Sequence, residues 1–108
     1  MFKVSKIVPA LCVALMPVTS NAENLLANAD IEYGEYLSGE CVACHSQDGT
    51  DKGIPSITGL DAETFATVMH AYKSGEIKHD VMNNKARSLD AKQIASLARY
   101  FASLKAAE

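Results

Sequence analysis

At 108 residues, with 10 Lys and Arg against 13 Asp and Glu and a formal net charge of −3, the chain has room for one small domain. The acidic balance argues against nucleic acid or an anionic membrane as its partner. Three cysteines in a chain of this size do not make a disulfide framework.

The first element in chain order is a targeting segment. Lys3 and Lys6 give a positive start, Ile7 to Val18 an apolar stretch broken by Pro9 and Pro17, and Ser20-Asn21-Ala22 small residues before a cleavage point. Residues 1–22 read as a secretory signal, too short to span a bilayer permanently, with a retained N-terminal anchor as the alternative. Cys12 leaves with the signal, since Leu11 stands where a lipidated cysteine would need a small residue before it. Processing leaves one domain over 23–108, which is 86 residues with 8 Lys and Arg against 13 Asp and Glu, near −5. The charges are uneven: nine acidic residues from Glu23 to Glu63 face only Lys52, whereas Lys73, Lys78, Lys85, Arg87, Lys92, Arg99 and Lys105 follow.

The next segment predicts a helix from Ala29 to Cys44, N-capped by Asp30, with Tyr33, Leu37, Cys41 and Cys44 on one face. Gly34 lies inside it, where glycine costs about 1 kcal/mol against alanine, so close approach of another helix is the expected compensation. The helix ends in Cys41-Val42-Ala43-Cys44-His45, the attachment signature of a c-type haem. One turn of helix presents both sulfurs to the vinyl groups on one porphyrin edge, and the following His45 swings under the iron as its proximal ligand. A thioredoxin-like thiol pair and half of a zinc site share the spacing. No strand-helix pattern suits the first, and no second cysteine pair supplies the other. A bound haem also supplies the core that a chain this short lacks.

Residues 46–59 form a loop by composition, rich in glycine and aspartate and containing Pro55. Asp61 caps a helix from Ala62 to about Ser74 with the stripe Phe65, Val68, Met69 and Tyr72, stopped by Gly75. A second loop runs from Glu76 to Leu89. The last helix starts at Asp90 with Gln93 in a capping box and buries Ile94, Leu97, Phe101 and Leu104. The architecture is all-α.

The sixth iron ligand decides whether such a haem transfers electrons or binds small molecules. Met69, His70, His79 and Met82 are the candidates. Met69 belongs to an apolar stripe and reads as core filling. His70 edges the same helix. Met82 sits in the second loop, after enough chain to reach the face opposite His45, and is the expected ligand. His79 in the same loop is the alternative.

Gly34, the attachment run, Asp48-Gly49, Gly53-Ile54-Pro55, Met82, Leu89-Asp90 and the ending Ile94 to Phe101 together resemble small bacterial class I cytochromes c. Within that class, Ile54 to Leu60, Phe65, Ala71 to Glu76 and Val81-Met82 are similar to the haem subunit of flavocytochrome c sulfide dehydrogenase. The resemblance implies three to five helices around one covalently attached haem, with crossing terminal helices that bring Gly34 and Leu37 near Leu97 and Tyr100 or Phe101. It further implies that the Pro55 carbonyl accepts a hydrogen bond from the His45 ring. Some subunits of that kind carry two haem domains in tandem; this chain has one attachment site. Nothing in it looks like a dinucleotide-binding glycine loop or a reactive disulfide, so flavin and sulfide chemistry would lie on a partner flavoprotein. The readings that follow are a periplasmic haem subunit accepting electrons from a sulfide-oxidising flavoprotein, or a free carrier docking through Lys73, Lys78, Lys85 and Arg87. Less favoured is a haem ligand-binding or sensing protein, and a haem enzyme is disfavoured because no distal acid-base group is evident.

Overall fold

In the computed structural model, which describes residues 21–51 and 53–105, the chain forms six helical segments. They are α1 (Asn21–Ala27), α2 (Ile31–Leu37), α3 (Gly39–Val42), α4 (Ala62–Ser74), α5 (Asp80–Arg87) and α6 (Ala91–Ser103). Among the described residues there are no strands. The expected signal segment lies outside the described residues except for Asn21 and Ala22, which open α1.

The centre of the molecule is α6. Its capping box is present in both halves: Asp90 accepts from the Gln93 backbone N–H at 2.8 Å, and the Asp90 N–H donates to Gln93 Oε1 at 2.9 Å. Ile94, Leu97 and Phe101 are sealed from solvent. Burying each such side chain contributes about 1.5–3 kcal/mol. Phe65 of α4 stacks on Phe101 with ring centroids 5.6 Å apart, which anchors α4 on the same core. Asp61 caps α4 at Thr64, and Gly75 ends it at φ 83°, a left-handed conformation that favours glycine.

α2 crosses α6 at Gly34. A methyl group on Gly34 would stand 2.6 Å from the Ser96 carbonyl carbon and 2.8 Å from Tyr100 Cβ. The backbones approach as closely as they do because that position has no side chain. Leu37 packs on the cluster that holds Leu97, Tyr100 and Phe101.

The predicted helix from Ala29 to Cys44 is broken. Asp30 caps it as expected, but Ser38 divides α2 from α3: its N–H is shared between the Gly34 and Glu35 carbonyls, and its hydroxyl donates to Glu35 at 2.6 Å. Of the predicted face, Leu37 and Cys41 pack against the core cluster and Tyr33 and Cys44 are exposed, while Gly34 and Ser38 are the buried positions. The predicted loop from Glu76 to Leu89 contains α5, so Met82 stands on a helix. α5 has few apolar residues and an unusual cap, His79, whose Nδ1 accepts from the Met82 N–H at 3.3 Å. α1, packed on α6, is a further element the periodicity did not give.

Candidate functional site

The attachment run occupies α3 and the turn after it. The Cys44 and His45 N–H groups both donate to the Cys41 carbonyl, at 3.1 and 2.8 Å, so the helical sense continues through His45. Cys41 is half-buried, Cys44 is exposed, and neither is in a disulfide. Burial, with Glu40 adjoining, pushes the Cys41 thiol above its ordinary value of 9.0, and Lys85 opposes the rise.

The loop that follows is folded back by its own side chains. Asp48 Oδ1 accepts from the Thr50 N–H at 3.0 Å, and Asp51 Oδ1 accepts from the Gly53 N–H at 2.9 Å. Two contacts fasten the loop to α6: Gln47 Nε2 donates to Tyr100 Oη at 3.0 Å, and the Gly59 N–H donates to the Phe101 carbonyl at 2.9 Å. Thr58, buried, spans the loop by donating to the Gln47 carbonyl at 3.2 Å. Folded this way, the loop carries Pro55 back to the attachment turn. Nδ1 of His45 donates to the Pro55 carbonyl oxygen at 2.6 Å. A carbonyl can only accept, so the proton is on Nδ1 and the lone pair of the neutral ring is on Nε2.

α5 packs on α4 and lies near α3, where Lys85 Nζ stands 3.6 Å from Glu40 Oε2. Met82 stands three residues before Lys85 and therefore on a neighbouring part of the helix surface. It is half-buried and packs on the core cluster. His79 is spent as the cap of α5, so while that cap stands its proton is on Nε2 and neither ring nitrogen offers a free lone pair. Met69 is buried in the core cluster, as its stripe predicts, and His70 lies half-buried on α4 in a groove it lines with Leu26 of α1, Glu63 and Thr67.

Two participants escaped the sequence reading. Asn83, buried beside Met82, donates through Nδ2 to the Tyr72 and Ile77 carbonyls, both at 2.8 Å. The Tyr100 hydroxyl holds Gln47. Neither has a sequence signal, because asparagine in a polar stretch reads as surface and a tyrosine in an apolar stripe reads as core.

These residues fit a haem. Two unpaired thiols precede a histidine whose Nε2 is left for a metal, and a thioether stands on α5, whose Lys85 reaches Glu40 of α3. Ile54 beside Pro55, and Ile77 and Val81 before Met82, are large apolar side chains left exposed in the protein alone. An apolar macrocycle is the kind of group that would cover such side chains. Among the described residues no group of three or more His, Cys, Asp or Glu could hold a metal ion by itself.

No family model matches the chain. It is 33% identical over 97 residues to the cytochrome subunit of sulfide dehydrogenase from Chlorobaculum tepidum, a match spanning 89% of this chain and 78% of the relative. It is 34% identical over 79 residues to cytochrome c-554(548) from Halomonas halodenitrificans, spanning 68% of this chain and 95% of the relative. A thiosulfate dehydrogenase electron acceptor from Thiomonas intermedia is 32% identical over 68 residues, 60% of this chain and 31% of the relative. The chain belongs to the small cytochromes c, an all-α family of haem proteins. Its role is electron transfer, and it is not itself the catalyst of a reaction.

Proposed function

We propose that this chain carries one haem c, joined through Cys41 and Cys44, with His45 and Met82 as axial ligands and Pro55 orienting His45. It accepts electrons in the periplasm from a separate flavoprotein that oxidises sulfide. The observation that carries the reading is the 2.6 Å bond from His45 Nδ1 to Pro55, in a histidine that directly follows two unpaired cysteines. That bond fixes the ring and makes Nε2 a stronger donor. Met82 is supported over His79 by the capping bond that occupies His79 and by the Glu40–Lys85 contact beside Cys41. Haem iron so held takes up and releases one electron, and a thioether ligand favours the reduced state. The periplasmic assignment rests on the signal reading of residues 1–22 and on thiols destined for covalent attachment. No helix among the described residues is long and apolar enough to cross a membrane.

The sulfur-oxidising context comes from relatives named for sulfide and thiosulfate dehydrogenases. A free carrier is the second reading, favoured by the match across 95% of cytochrome c-554(548). Against purely electrostatic docking, three of the four cations named for it are engaged within the chain, Arg87 through Asn84 Oδ1 at 3.5 Å. Lys73 Nζ donates to the Leu89 carbonyl, and Lys85 pairs with Glu40. Sizing of the native periplasm with absorption detection separates the readings. Haem c migrating with flavin supports the subunit; haem c at the mass of an 86-residue chain supports the carrier. A transfer rate that falls steeply with ionic strength would also favour the carrier.

A further inference from the structure

We propose that Asn83 is a positioning residue for Met82, setting how firmly the thioether is held at the iron; the inference rests on the reading of Met82 as an axial ligand. One side chain pins three pieces of backbone. Nδ2 donates to Tyr72 in the last turn of α4 and to Ile77 in the connecting loop, both at 2.8 Å. Oδ1 accepts from the His79 N–H at 2.8 Å, and the Asn83 N–H donates to the His79 carbonyl at 2.7 Å. The residue is 6% exposed, so these bonds do not compete with bulk water.

The arrangement matters because methionine is a loose tether. Its side chain has three rotatable bonds and adapts to its surroundings, so the backbone below it sets where the sulfur can rest. Met82 adjoins Asn83, and its own N–H is bound to His79. Withdrawing Met82 by moving the start of α5 would break the buried bonds of Asn83 and leave the Ile77 carbonyl and the His79 N–H unsatisfied, the Tyr72 carbonyl keeping the Gly75 N–H. Lys73, bonded to Leu89, holds the chain just after α5 in the same way. The α4–α5 connection is thus fastened at His79, three residues before the ligand, and at Asn83, directly after it.

The test uses the haem-loaded protein and imidazole, which competes for the iron position assigned to Met82. Asn83→Ala and Asn83→Ser should each raise imidazole affinity by about tenfold or more. Asn84→Ala, at the exposed neighbour, should leave it within about twofold of wild type. In parallel, Met82→Ala should abolish the sulfur-to-iron charge-transfer absorption of the oxidised protein. If that absorption survives in Met82→Ala, the ligand reading fails and the positioning role with it. If it is lost there but the Asn83 variants bind imidazole no more tightly than wild type, the positioning role alone is overturned. Amide exchange on the wild-type protein gives a reading free of variants. The His79 and Asn83 amides should exchange about tenfold faster in the imidazole complex while those of α6 do not change. Unchanged protection at both would overturn the proposal.

Discussion

His45 and Pro55, ten positions apart, are joined by a bond of 2.6 Å from the ring Nδ1 to the backbone carbonyl. Because the acceptor is backbone, no side-chain deletion removes it, but proline fixes the local φ and so the direction of the carbonyl. Pro55→Ala should loosen the bond, weaken the donor strength of the imidazole and destabilise the oxidised iron. The reduction potential should rise by on the order of 20–60 mV, less than or about a tenfold change in a one-electron equilibrium. A redox titration that finds an unchanged or lowered potential would count against the role given to Pro55.

Gly34 gives a prediction whose sign is informative. On an exposed helix, Gly→Ala would stabilise by about 1 kcal/mol. Here the new methyl would meet the Ser96 backbone and Tyr100 Cβ. Gly34→Ala should therefore destabilise the haem-loaded protein by about 1–3 kcal/mol in urea unfolding.

Tyr100→Phe keeps the buried ring and removes the hydroxyl that accepts from Gln47. The expected loss is about 0.5–1.5 kcal/mol, with the haem spectrum retained. A loss as large as that of a core truncation would mean that the hydroxyl does more than fasten the loop.

The Glu40–Lys85 pair is exposed on both sides, with side chains 73% and 50% accessible. Lys85→Ala should cost no more than about 0.5–1 kcal/mol at low salt, and the effect should vanish at high salt. The pair marks where α5 lies; it does not hold it there.

What could be read from the residues differs by element. α4 and α6 were legible to their caps because Asp61 and Asp90 stand before regular apolar stripes and Gly75 after one of them. Gly34 was legible as a crossing point because glycine in a helix needs a compensating contact. α5 was not legible: Asp80 to Arg87 is mostly polar, its cap is a histidine, and its placement comes from Asn83 bonds to residues up to 11 positions away. The break at Ser38 escaped notice because serine is tolerated inside helices, and its competition for the Glu35 carbonyl depends on the rotamer. The residue types of the candidate site were visible in the run Cys41 to His45 and in Met82. The contacts around them, those of Asn83 and the Gln47–Tyr100 bond, exist only once the chain has folded.

The most direct test of the account is whether Cys41 and Cys44 hold a haem covalently. The protein purified from its native source should have an intact mass one haem above that of its polypeptide, retain its colour through acidic organic extraction, and offer neither thiol to an alkylating reagent. Haem released by the extraction, with Cys41 and Cys44 both alkylated, would contradict it.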